Sequence, residues 1–103
     1  MVDLKELQKK VYENKVNKGF NVTDISKEFW LAYGEMAEAY EAYRKKKNDL
    51  GEELADVAIY LLGISEILGV DLEKGILHKI NKIIHREYKV INGVNTRVKE
   101  YEE

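Results

Sequence analysis

The sequence predicts an all-α protein folded as an antiparallel four-helix bundle, and three observations carry that expectation. The 103 residues include no Pro, and only 7 are Gly. Apolar side chains recur with the 3.6-residue period of amphipathic helices. The first helix is expected from about Asp3 to Lys18, with Leu4, Leu7, Val11 and Val16 on its apolar side and Gly19 as C-terminal cap. The second opens after Asn21-Val22-Thr23, with Thr23 as N-cap and Asp24 in the first turn. It runs to about Lys46, with Ile25, Phe29, Ala32, Met36, Ala39, Tyr40 and Tyr43 on its apolar side. A third helix starts near Asn48 or Asp49 and ends at Leu68-Gly69, and Asp71 then caps a fourth that runs to about Val90. The tail from Ile91-Asn92-Gly93-Val94 begins with a turn signal and is expected to be a short extra helix or loosely held.

Four carboxylates stand out on this frame as two matched pairs, Glu35 with Glu38 and Glu53 with Asp56, each three residues apart. That spacing places both members of a pair on one helix face. If the chain reverses near Lys45 and Lys46, Glu35 comes opposite Asp56 and Glu38 opposite Glu53. Four negative charges in one small volume repel unless they are protonated or a cation sits among them. All-oxygen ligation suits a hard divalent ion, Mg²⁺ first. Solvated helices rich in Glu and Lys show single pairs of this kind routinely. The second pair differs because Asp56 is embedded in Leu54-Ala55 and Val57-Ala58-Ile59-Tyr60-Leu61-Leu62, a segment apolar nearly all round. Its nearest Lys or Arg in sequence is Lys47 or Lys74, so a metal is one of few partners available.

A length of 103 residues and 45% hydrophobic content suit one domain with its own core. The chain has no Cys, which excludes disulfides, Cys-based zinc sites and thiol catalysis. Its apolar runs are too short to span a bilayer, and Met1-Val2-Asp3-Leu4-Lys5 lacks the order of a secretory signal, so a cytoplasmic protein without a membrane partner is expected. A net charge of −2 argues against a general nucleic-acid binder. No internal repeat, low-complexity segment or interdomain linker stands out. The apolar third helix predicts self-association through it, with a well-covered central helix in a monomer as the alternative.

The stretch Gly34-Glu35-Met36-Ala37-Glu38-Ala39-Tyr40-Glu41-Ala42, followed by Glu52-Glu53-Leu54-Ala55-Asp56-Val57, resembles the E-E-x-x-E … E-x-x-D signature of MazG-like nucleotide pyrophosphohydrolases. Leu68-Gly69-Val70-Asp71-Leu72-Glu73 resembles the linker and helix start that follow in that family. The resemblance covers roughly Lys18 to Arg86. It implies an all-α fold that assembles as a homodimer or homotetramer and cleaves nucleoside triphosphates to monophosphate and pyrophosphate with Mg²⁺, Mn²⁺ being a substitute. Carried over by position, the metal-binding acids fall on Glu35, Glu38, Glu53 and Asp56. The chain departs from the pattern at Gly34, where the first Glu of the doublet is usual, and at Ile83, which takes a place that is often Asn.

Within that reading, Glu41 and Glu52 are the candidate proton acceptors, with solvated surface acids as the alternative. Lys79, Lys82 and Arg86, at helical spacing on the fourth helix, are candidates for the phosphates; basic residues near a helix C-terminus also complement its dipole. Arg44-Lys45-Lys46-Lys47 are assigned to that dipole role. His78 and His85 are about 10 Å apart at 1.5 Å per residue, too far to share an ion from one helix. Trp30 is the first choice of wall for the nucleobase among Phe20, Trp30 and Tyr33, although aromatics at helical spacing are more often core. Asn14 and Lys18 are further candidates. Two rivals come from other classes: a catalytically silent helical dimerisation module, motivated by Ile83, and a small nucleic-acid-binding bundle that uses the fourth helix. A pyrophosphohydrolase of histidine biosynthesis shares the acidic pattern and ranks lower, for want of the pattern expected around its substrate.

Overall fold

In the computed structural model, which describes residues 1–99, Asp3 opens the first helix by accepting hydrogen bonds from the backbone N–H groups of Lys5 (3.0 Å) and Glu6 (3.2 Å). Helix α1 spans Leu4–Asn17 and ends at Gly19, whose φ of +71° lies in the left-handed region that Gly enters at no steric cost. Phe20 N–H donates to Lys15 O (2.8 Å) and Gly19 N–H to Val16 O (3.2 Å), the pair of bonds that closes such a terminus.

Helix α2 spans Ile25–Arg44, and its cap is Asp24 rather than the expected Thr23: the Asp24 carboxylate accepts from Lys27 N–H at 3.1 Å. Asn21 decides the register. Its amide oxygen accepts from Thr23 N–H (3.4 Å) and Asp24 N–H (3.0 Å), while its Nδ2 donates to Asp24 O (2.8 Å), so Thr23 is spent inside the turn. Asp24→Ala is therefore expected to cost about 1 kcal/mol in urea unfolding, with Thr23→Ala nearly neutral. Equal losses would contradict this cap.

The chain reverses after α2 through Lys45 and Lys46, the latter at φ +55°, and α3 follows as Leu50–Ile67. Residue pairs fix the helix directions. Along α1, Gln8 bonds to Glu66 and Val70, Val11 packs at Gly63, and the Lys15 ammonium lies over Tyr60. Along α2, Glu28 lies near Tyr60 and Glu35 near Asp56. Both helices thus run antiparallel to α3, α1 against its C-terminal half and α2 against its N-terminal half. Ala39 and Ala42 of α2 and Val57, Leu62 and Ile64 of α3 are buried between them. A Cβ at Gly63 would stand 3.3 Å from Val11 Cγ1, so the bare backbone lets α1 come close. Gln8, itself 4% exposed, ties α1 to the end of α3 by donating to Glu66 Oε1 (3.1 Å) and Val70 O (2.7 Å). Asp71, the expected cap of the next helix, pairs with Lys5 at 3.5 Å.

The chain divides into two compact units, Met1–Leu72 and a second that begins at Glu73. Helix α4 spans Leu72–Ile84, shorter than the expected run to Val90. The tail is a β-hairpin rather than a helix or a loose end: β1 is Glu87–Ile91 and β2 is Val94–Lys99. Tyr88 pairs with Arg97, Val90 with Asn95 and Ile91 with Val94 around the two-residue turn Asn92-Gly93. Both turn residues have positive φ, +50° and +76°, the geometry in which Asn-Gly matches the strand twist. The end of that tail, Glu100-Tyr101-Glu102-Glu103, lies outside the described residues. Among the described residues, no helix is long and apolar enough to cross a membrane.

Candidate metal centre

Reversal at Lys45 and Lys46 lays the acidic face of α2 against that of α3 within the first unit. Glu35, Glu38 and Glu53 each bring one carboxylate oxygen to a common point, all within 4.8 Å of one another. Asp56 lies outside that trio, but its charge bears on both Glu35 and Glu53. Burial, then the Glu38 charge, then Asp56 hold the Glu35 carboxyl above its ordinary value, helped by a hydrogen bond shared with Glu38. Burial first and Asp49 next do the same to Glu53, with Lys47 opposing. Glu35 Oε2 and Glu53 Oε2 are buried and meet no hydrogen-bond donor among the described residues. Orphaned carboxylate oxygens converging at this spacing fit a divalent cation.

The raised values have a testable sign. Folding raises the proton affinity of Glu35 and Glu53, so below the ordinary value of 4.5 the cluster carries no penalty. As pH rises through the raised folded values, the metal-free fold loses stability relative to the unfolded chain. Glu35→Gln is accordingly expected to melt above the parent in EDTA at neutral pH, with the gap closing as pH falls toward 4.5. A gap independent of pH would contradict the crowding.

A family model described as the MazG nucleotide pyrophosphohydrolase domain matches residues 17–91. The chain belongs to this family. The match takes in α2, α3, α4 and β1, and hence both acidic pairs; most of α1 falls outside it. No curated protein and no solved structure matches the chain. The MazG family is associated with nucleotide pyrophosphohydrolase activity.

The other residues singled out from the sequence are spread more widely. Glu41 is held by Arg44 (2.7 Å) and Lys45 (2.9 Å), and these cations keep its carboxyl below the ordinary range. Glu52 is exposed beside Glu53 on the first turn of α3. Trp30 is 72% exposed and pairs with Tyr33, ring centres 6.2 Å apart, whereas Phe20 lines a cleft with Tyr60. Lys79 and Lys82 lie on α4, but Arg86 does not share their helix: α4 ends at Ile84, and Arg86 belongs to the link before β1. The α-helical period running through Ile80, Ile83 and Ile84 hides that boundary, because Tyr88 and Ile91 continue the same three-to-four-residue spacing beyond the helix end.

Three residues beside the acids were not singled out for a role. Glu28 is 1% exposed and forms a buried ion pair with Lys15, while Asn21 Nδ2 donates to Glu28 Oε2 at 3.1 Å. The Lys15 ammonium stands 5.4 Å from the centre of the Tyr60 ring, a cation–π arrangement. Burial, Glu28, Glu35 and Asp56 together push the Tyr60 phenol up. Tyr60 could have been found by its place four residues after Asp56; the Lys15–Glu28 pair depends on how α1 and α2 meet on α3.

Proposed function

We propose that the chain is a Mg²⁺-dependent nucleoside triphosphate pyrophosphohydrolase, converting a ribo- or deoxyribonucleoside triphosphate and water to the monophosphate and pyrophosphate. The observation that carries this reading is the convergence of Glu35, Glu38 and Glu53 oxygens within 4.8 Å, two of the three residues presenting buried oxygens that meet no donor among the described residues. Glu35, Glu38, Glu53 and Asp56 would hold the ion, with Mn²⁺ as a substitute. When bound, it supplies Lewis-acid neutralisation of phosphate charge and lowers the pKa of water. The chain's own acids orient the site and take the proton as the water oxygen bonds to phosphorus and the phosphoanhydride oxygen leaves with pyrophosphate. Glu52 is the better acceptor of the two candidates, because Arg44 and Lys45 already compete for Glu41 and weaken it as a base.

A panel of ribo- and deoxyribonucleoside triphosphates assayed for pyrophosphate release tests this reading. Release from at least one, dependent on added Mg²⁺, is expected. No release from any, together with no Mg²⁺ effect on the melting temperature, would favour a catalytically silent interaction module.

The same reading includes a homodimer or homotetramer. Phe29, Tyr33, Met36, Tyr40 and Tyr43 form one stripe along α2 with exposures from 45% to 70%, and Leu54 and Leu61 of α3 are 51% and 45% exposed. Apolar surface this continuous is uncommon on a monomer, and a second copy of the chain would cover it. Sedimentation equilibrium is expected to return twice or four times the 12.0 kDa chain mass, and Tyr40→Glu to shift it toward one. A parent at the monomer mass would overturn the assembly.

A further inference from the structure

Away from the carboxylate face, the second unit is built from elements that do not hold by themselves. Helix α4 has 13 residues, the length at which a helix alone in water is marginal, and a two-stranded hairpin alone is no firmer. No residue of α4, β1 or β2 is buried. Large aliphatic side chains stay open instead: along α4, Ile76, Leu77, Ile80, Ile83 and Ile84 are 38% to 70% exposed. At 3.6 residues per turn these five occupy one arc of roughly 120°, a continuous apolar side. Lys74, Lys79 and Lys82 lie on the rest of the circumference, and Glu73, in the first turn, is the one acid of the helix.

The charge of this unit is lopsided. Residues 73–99 hold seven Lys or Arg against two Glu, an excess of five positive charges, and Lys89, Arg97 and Lys99 place part of it on the hairpin. The three acids among the last four residues lower the excess to two. Residues 1–72 carry ten Lys or Arg against fourteen Asp or Glu, so an anionic partner is attracted by the second unit and repelled by the first. An apolar side with a basic remainder is the pattern of a helix that lies in the plane of a membrane surface, its aliphatic side chains at the acyl boundary and its lysines on anionic headgroups. Such a helix needs one apolar side rather than the ~20 apolar residues of a spanning segment, which no described helix has. Nucleic acid would answer the charge, but its polar surface gains nothing from five open aliphatic side chains on the same helix.

We propose that the second unit is a docking module for anionic lipid surfaces, with the apolar side of α4 in the headgroup layer and the basic side chains of helix and hairpin on the lipid phosphates. Lys79 and Lys82 then serve lipid phosphate rather than the nucleotide. The proposal does not rest on the pyrophosphohydrolase reading, since none of the carboxylates enters it.

Flotation of the full chain with lipid vesicles, without nucleotide, tests it. Binding is expected to vesicles of phosphatidylcholine mixed with phosphatidylserine and not to phosphatidylcholine alone, and to fall about tenfold or more as salt is raised to about 0.5 M. Lys79→Glu with Lys82→Glu is expected to lower binding about tenfold or more. Leu77→Ala with Ile84→Ala is expected to do the same by removing apolar area. Leu77 and Ile84 are 64% and 70% exposed and Ala favours a helix, so this second variant is expected to keep the parent's circular dichroism. Equal binding to both kinds of vesicle, or binding that survives the alanine changes, would overturn the docking. So would a parent that binds neither: a lower mass of the alanine variant in sedimentation would then show that a second copy covers α4, and retardation of duplex DNA by the parent would assign the basic side to nucleic acid.

Discussion

Glu53→Gln and Glu38→Gln are each expected to lower pyrophosphate release about 10²-fold or more at saturating Mg²⁺, without loss of the fold. The amide keeps the shape of the carboxyl group but removes the anionic oxygen that converges with Glu35. Removing one anionic ligand takes away ~3 kcal/mol or more of the several that a catalytic metal supplies, and each 1.36 kcal/mol is about tenfold in rate. Circular dichroism and melting in EDTA separate this from misfolding. In EDTA the variants should be at least as stable as the parent, because Glu53→Gln removes the charge that burial and Asp49 disfavour, and Glu38→Gln removes a charge that presses on Glu35 and Glu53. A variant that is less stable and inactive would point to a structural acid. One that is equally active would remove that carboxylate from the centre.

Lys15→Met is expected to be the most destabilising of the single changes considered, at about 3–5 kcal/mol in urea unfolding. Glu28 is 1% exposed, and its side chain meets Lys15 on one side and Asn21 on the other. Removal of the ammonium leaves a buried carboxylate with one amide donor and no counter-charge. A loss of this size takes a large share of the ~5–15 kcal/mol that holds a typical small protein folded. The double change Lys15→Met with Glu28→Leu is expected to recover most of the loss, since replacing both members of a buried pair by apolar groups is often neutral or stabilising. A single variant within 1 kcal/mol of the parent would show that Glu28 is satisfied without Lys15.

The legible part of this chain is the part set by local spacing. Glu35 with Glu38 and Glu53 with Asp56 declare their helix faces by three-residue separation, and the lysines at 45 and 46 mark the reversal that brings the faces together. Gly19 and Gly69, at φ of +71° and +70°, end α1 and α3 where a helix reader expects them. Thr23 and Asp24 are equally good caps by type, and only the bonds of Asn21 choose between them. The hairpin was less visible. Asn92-Gly93 announces a turn, but the flanking Val90-Ile91 and Val94 continue the apolar rhythm of α4, and pairing between two strands is not a property of either segment's own period. The Lys15–Glu28 pair and the cleft beside it were hidden for the same reason. They arise because α1 and α2 meet along α3, a juxtaposition of residues far apart in sequence. The apolar side expected for α2 is a stripe but not core: Ala39 is buried, while Phe29, Met36, Tyr40 and Tyr43 face outward.

Product analysis of one nucleoside triphosphate with the parent protein, run with Mg²⁺ and again after chelation with EDTA, tests the central claim most directly. Equal amounts of nucleoside monophosphate and pyrophosphate, formed only with the metal present, are the predicted result. Nucleoside diphosphate and inorganic phosphate as the products, or turnover that persists in EDTA, would contradict it.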